Sequence, residues 1–301
     1  MAGTAMGSEN LRARLMATGL SRVADEIIRV SMPSIRLDCL RATDEAEPPL
    51  GGSRLGGAPD LPPGMSWPKW QDSPMAFIAQ VNVAEIAGHD EQGHLPHAGL
   101  LSFFCAIDGT AAGVMPALDD PSSWMVSYFD GDLATLVRLR HPPDLPELLQ
   151  FPACQASYSQ ELTLPNIDSR EVLALGLTEL EWQAYVDVES GADIGYLPVM
   201  NHHLLGYPRC LGRSPFIAGY RNAHGIPDPY AIDLQGTPEE LQRKLTDLQH
   251  KAETEWRLLL QVYSNEEAEM DFGGGVLHFC IPKDALARRD FSHVWVEMQF
   301  V

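Results

Sequence analysis

The runs FIAQV (77–81) and LLLQV (258–262) each set a glutamine, Gln80 or Gln261, inside an otherwise unbroken apolar stretch. Continuous apolar runs of this kind mark strands buried on both faces. An amide hidden there without partners costs about 1 to 3 kcal/mol, so both glutamines are expected to be hydrogen-bonded. The coincidence extends further. Aligning Gln80 with Gln261 brings GLLSFF (99–104) onto GVLHFC (275–280), and the Trp-bearing WMVSYF (124–129) onto VWVEMQF (294–300). SRLGGAP (53–59) stands before the first copy as HHLLGYP (202–208) stands before the second. The chain reads as two tandem copies of a loop with a glycine turn, followed by three strands.

Isolated three-stranded sheets with one cover are marginal, so the two copies are expected to share a core around a pseudo-twofold axis. The expected fold class is α+β: a mostly antiparallel, β-rich fold built from two tandem pseudo-repeats, with peripheral helices, in a single domain over 1–301. Within it the reading places N-terminal helices at 8–31, a first β-rich half at 32–140, an acidic helical connection at 141–195 and a second β-rich half at 196–301. Apolar spacing over 8–31, broken near Gly19, predicts two short helices covering a sheet face. PSIRLDCL alternates like a strand with one wet face. Residues 44–74, with seven prolines and five glycines, form an ordered wrap in which Trp67 and Trp70 either plug the core or line a ligand groove. Thr178 and Glu181 make a capping box for a helix that buries Trp182, Tyr185 and Val186. Thr237 and Pro238 open a second helix with Leu241, Leu245, Leu248 and Ala252 on one side.

Several of these segments resemble the YwqG-like proteins, bacterial proteins of a domain of unknown function. The likeness is carried by SRLGGAPDLPPGMSWP, FIAQVNVAEI, LPHAGLLSFF, HHLLGYP and the long segment from Trp256 to Gln299, and it runs from about residue 30 to the C-terminus. It implies a mostly antiparallel β-rich fold with peripheral helices and supplies no catalytic residues. Some relatives are associated with bacterial toxin loci, which implies a protective partner role. After HHLLGYP such proteins commonly continue with a polar, glutamine-containing segment, whereas this chain has RCLGRSP.

Composition narrows the function classes. Acidic residues number 41 against 21 basic, a net charge of −20, which argues against gripping nucleic acid by its phosphates or adhering to anionic lipid. A basic protein is the electrostatic complement. The middle stretch, 161–195, carries eight acidic side chains, Glu179, Glu181, Asp187, Glu189 and Asp193 among them, against a lone Arg170. The five cysteines are odd in number, widely spaced and mostly within apolar segments, so they read as reduced core thiols. No leader pattern or membrane-length apolar run is present, and the expected compartment is the cytoplasm.

Catalytic signatures are missing. The sequence has no GxSxG elbow, phosphate-binding GxxxxGK[ST] loop or HExxH helix. His89, His94 and His97, with Asp90 and Glu91, lie on one loop, whereas structural zinc sites anchor ligands on at least two elements, so the loop reads as solvated. Glu266, Glu267, Glu269 and Asp271 lack the ligand alternation and mid-loop glycine of an EF-hand. Cys105 and Cys280 have no evident basic activator, even with His278 nearby. Asp290 is read as a local cap or as the partner of Arg288 or Arg289.

No catalytic residue, metal or cofactor is assigned. The favoured expectation is a non-catalytic acidic binding protein, in its specific form an immunity-type inhibitor of a basic toxin, docking through the acids of 179–193. The alternative is an enzyme or small-molecule binder with a cleft between the repeats, lined by Gln80, Gln261, Trp67, Trp70 and His203. A purely structural role is the third.

Overall fold

A computed structural model describes residues 7–41, 48–108, 115–116, 120–191, 201–227 and 238–300. Its centre is a ten-stranded sheet in which every pairing is antiparallel. In chain order the strands are β1 (Met32–Arg41), β2 (Arg54–Leu55), β3 (Ala76–Asn82), β4 (Leu100–Cys105), β5 (Trp124–Phe129), β6 (Cys154–Thr163), β7 (His202–Leu204), β8 (Trp256–Tyr263), β9 (Val276–Pro282) and β10 (Trp295–Gln299). Their spatial order is β5-β4-β3-β2-β6-β1-β7-β8-β9-β10.

That order holds the logic of the fold. The first copy runs β1 to β5 and the second β6 to β10, and each places its lead strand beside the other copy. β1 pairs with β7, β6 pairs with β2, and β1 and β6 pair with each other over ten residues. The lead strands are exchanged, so neither copy's sheet is complete without the other. The equivalence extends to irregularities. One bulge interrupts β3–β4 at Ile78, between Phe77 and Ala79, and another interrupts β8–β9 at Leu259, between Leu258 and Leu260. Each lies two residues before its glutamine. At the ladder's end the copies diverge: Ser127 lies opposite Ser102 and Glu297 opposite His278, which makes Met125, not Trp124, the register equivalent of Trp295.

The sheet curls until aromatic side chains of the two copies meet. Phe103 and Phe279 pack edge to face at 5.1 Å, and Trp124 meets Trp295 at the same separation while its indole N–H donates to the Val294 carbonyl at 2.8 Å. Such aromatic pairs add about 0.5 to 1.5 kcal/mol beyond the burial itself. The opposite faces need covers, and the copies supply different ones. On the first, the proline-rich wrap lays Trp67 against Phe104, with its indole N–H donating to the Met75 carbonyl at 2.8 Å. On the second, α4 (Phe216–His224) and α5 (Pro238–Glu255) bring Phe216, Tyr220 and Ala252 onto Trp256, Leu258 and Cys280.

Before the first copy lie α1 (Ser8–Ala17) and α2 (Ala24–Val30), and after β6 comes α3 (Glu179–Glu189). Leu11, Leu15 and Ile27 of the N-terminal helices form a cluster with Leu164, Val172 and Tyr185, and Leu162 of β6 packs against it. The capping box of Thr178 and Glu181 is present. Tyr185 and Val188 form the buried side of α3, and Trp182 is turned out, 46% exposed. Tyr185 and Val188 pack with Leu11, Leu15 and Ile27, and beside that docked side Arg22 grips Glu181 at 2.7 Å. In α5, Leu245 and Ala252 are buried and Leu248 is partly so; Thr237 lies outside the described residues. The segment 141–195 contributes the ten-residue strand β6 as well as helices. Among the described residues no helix is long and apolar enough to cross a membrane.

Candidate functional site

The two glutamines hold matching frameworks. Gln80 accepts the Asp60 N–H at 3.0 Å and donates to the Gly52 carbonyl at 2.7 Å; Gln261 accepts the Arg209 N–H at 2.9 Å and donates to the Asn201 carbonyl at 3.0 Å. Residues 52 and 60 stand to the first copy as 201 and 209 stand to the second. The correspondence continues at neighbouring positions: Ser53 Oγ accepts the Asn82 N–H, as His202 Nδ1 accepts that of Tyr263. Arg54 donates to the Ala58 carbonyl, as His203 does to that of Tyr207. The frameworks survive a change of side chain because the bonds run to main chain. The turn between them needs left-handed backbone, at Gly56 and Gly57 in one copy and at Leu205 and Gly206 in the other. A Cβ on Gly206 would come within 2.4 Å of Thr163 Oγ1, so only glycine fits.

What differs between the copies is charge. In the first, Asp60 is fully buried and receives Arg54 Nη1, Arg138 Nε and the Gly51 N–H, each at 2.8 Å, and Gln80 Nε2 at 2.9 Å. Burial pushes its pKa up, but the guanidiniums of Arg54 and Arg138 outweigh this and hold it well below the ordinary carboxylate range. In the second, Arg209 occupies the place of Asp60 and lies 3.9 Å from Glu161. Burial pushes His202 down to about 4 and both His203 and His278 down to about 3. All three imidazoles are therefore neutral at pH 7.

The expected site residues fall into two groups. Gln80, Gln261 and His203 are fully buried. Trp67 is buried with its N–H occupied, and Trp70 is half-buried and donates to Asp120 at 2.9 Å. Gln80, Gln261 and His203 bond main-chain atoms of their own copy. Of the acids, Glu179 is exposed, Glu181 is tied to Arg22 and Thr178, and Asp187 is half-buried beside Gln183. Glu189 turns a carboxylate oxygen into the interior, where burial pushes its pKa up to about 7. Asp193 lies outside the described residues.

Around the acids, α3 presents an outward arc. At about 100° per residue, Trp182, Val186, Glu179, Gln183, Asp187 and Leu180 follow one another across its free side. Leu180 is 85% exposed. Sequence reasoning placed the acids on this helix but missed that two large apolar side chains flank them.

Elsewhere the expected local roles are seen. His94 meets Gln92, Asp90 accepts the Leu95 N–H, and Glu91 accepts from Gln160. Among the described residues no three His, Cys, Asp or Glu side chains gather as metal ligands. Asp290 caps Ser292 and pairs with His293, whereas Arg288 pairs with Asp284. All five cysteines are free thiols. Cys39 Sγ donates to Asn265 Oδ1 at 3.6 Å, and the interaction of its thiol with that of Cys154 across β1 and β6 raises the pKa of the first and lowers that of the second.

The segment that contains both glutamines matches a family model over residues 53–299, described as a domain of unknown function, DUF1963. The chain belongs to this family. The DUF1963 segment opens at Ser53, which bonds Asn82, and closes at Gln299, the last residue of β10. It therefore takes in both glutamines and the acidic helix, while β1 and Gly52, which accepts from Gln80, precede it. No curated protein matches the chain.

Proposed function

We propose that the chain is a non-catalytic acidic binding protein that docks a basic protein partner on the outward arc of α3. The observation that carries this reading is the pair of exposed apolar side chains, Trp182 and Leu180, set beside Glu179 and Asp187 on a chain of charge −20. Tryptophan supplies the largest share of binding energy at many interfaces, and surrounding charge steers a complementary partner to it. In its specific form the partner is a basic toxin and the chain an immunity-type inhibitor. The likeness to YwqG-like proteins, some associated with toxin loci, supports that form. Against the alternative, a ligand cleft between the copies floored by glutamines, stands the commitment of Gln80 and Gln261 to main-chain partners.

The test is affinity capture from the source cell at low and high salt, with wild type, Trp182→Ala and Glu179→Lys in parallel. The expected result is one basic protein, held at low salt, with Trp182→Ala weakening it by about thirtyfold, the equivalent of a 2 kcal/mol anchor. Capture unaffected by either substitution, or no partner at any salt, refutes the proposal.

A further inference from the structure

A cleft of about 580 Å³ opens on the first copy, within the size range of small-molecule sites, and it is basic in an acidic protein. Arg54, Arg138, Arg140 and His141 line it, with Leu139 and Phe151 as apolar wall, and no carboxylate appears among its described lining residues. Asp60 is the acid that the structure pairs with Arg54 and Arg138.

Arg140 decides the chemistry. Arg54 and Arg138 are held by Asp60 and by carbonyls of Ala58, Pro48 and Pro49. Arg140 is exposed at the cleft, and among the described residues no hydrogen bond or ion pair holds its guanidinium. His141 is fixed beside it: Nε2 faces the Gly57 carbonyl at 3.1 Å, and the ring stands edge-on to Trp67 at 5.7 Å. Arg140 is thus an exposed cation of the cleft lining beside a fixed imidazole. A guanidinium so placed matches an oxyanion through paired N–H donors, and Leu139 and Phe151 offer an apolar body a dry surface. The sequence carries a local sign of this in VRLRH (137–141), where Arg138 and Arg140 alternate with Val137 and Leu139 and His141 follows.

We propose that this cleft binds a small anionic molecule whose oxyanion head pairs with Arg140 and whose apolar part lies on Leu139 and Phe151. None of these residues belongs to α3, so the site is independent of the docking surface proposed above.

Isothermal titration of the full chain with inorganic phosphate and with benzoate, at constant ionic strength, tests it. The two probes share the oxyanion and differ in the apolar part. The expected result is saturable one-to-one binding, tighter for benzoate, and weakened at least tenfold by Arg140→Gln. Arg243→Gln, an exposed change on α5, is expected to leave affinity unaltered. Arg140 is exposed, so its substitution leaves the fold intact, and circular dichroism verifies this. Saturable phosphate binding equal to or tighter than that of benzoate overturns the apolar subsite. The absence of saturable binding by either probe, or an equal loss in Arg243→Gln, overturns the site.

Discussion

Replacing Asp60 by asparagine keeps the shape of a fully buried side chain and removes its charge. The carboxylate receives four close donors, two of them guanidinium nitrogens, and Arg54 is itself 1% exposed. The substituted amide would take from buried Arg54 the carboxylate that pairs with it and turn an N–H₂ group toward a cluster of donors. Breaking a buried pair from one side costs about 3 to 5 kcal/mol. For a chain of this size that corresponds to a fall in melting temperature of roughly 6 to 15 °C. The assay is urea unfolding at pH 7, with Asp60→Asn compared with the double variant Asp60→Asn plus Arg54→Met. The double variant removes the cation as well and is expected to recover at least about 1 kcal/mol. Because Asp60 has its pKa depressed in the folded state, its contribution is fully present above the ordinary carboxylate value and is lost as pH falls through the depressed one. Wild type should therefore lose stability in acid that Asp60→Asn does not. A single-variant loss under about 1 kcal/mol, or a double variant no more stable than the single, refutes the assignment of Asp60 as the charge centre of the first copy.

Glu189 has the opposite linkage. Its folded pKa is raised to about 7, so the stability tied to its protonated form is complete below the unfolded carboxylate value and is lost as pH rises through 7. Glu189→Gln should gain on wild type by about 2 to 3 kcal/mol between pH 4.5 and 8, read by urea midpoints at both pH values; a constant difference contradicts the burial of that carboxyl group. Gln261→Leu strands the Arg209 N–H and the Asn201 carbonyl and should cost about 2 to 5 kcal/mol in the same assay. A loss below about 0.5 kcal/mol would mean that the amide does not hold that loop. Trp182→Ala, at an exposed position, should shift stability by no more than about 0.5 kcal/mol, and a larger loss would place the ring in the core.

The repeat was legible because its carriers are local: apolar runs, glycine turns and two glutamines at matching places. The antiparallel β-rich class, the capping box at Thr178 and the apolar side of α5 came from the same kind of short-range pattern. Others depended on distant partners. Spacing predicts Trp182 on the buried side of α3 because it defines a stripe but not which neighbour the stripe meets; Leu11, Leu15 and Ile27, more than 150 residues away in sequence, receive Tyr185 and Val188 instead. Arg54, Asp60 and Arg138 carry no motif, and their meeting brings together residues 78 apart.

Residue types and their near neighbours were enough to establish that two similar β units exist and that each hides an amide requiring main-chain partners, since burial and hydrogen-bond satisfaction follow from local chemistry. Three features emerge only when the chain is folded: the units exchange their lead strands, one copy centres on a carboxylate and the other on a guanidinium, and a basic cleft opens in an acidic protein. Pairing between β1 and β6, and the field inside a cleft, depend on which distant segments come within a few ångströms, and no local pattern encodes that distance.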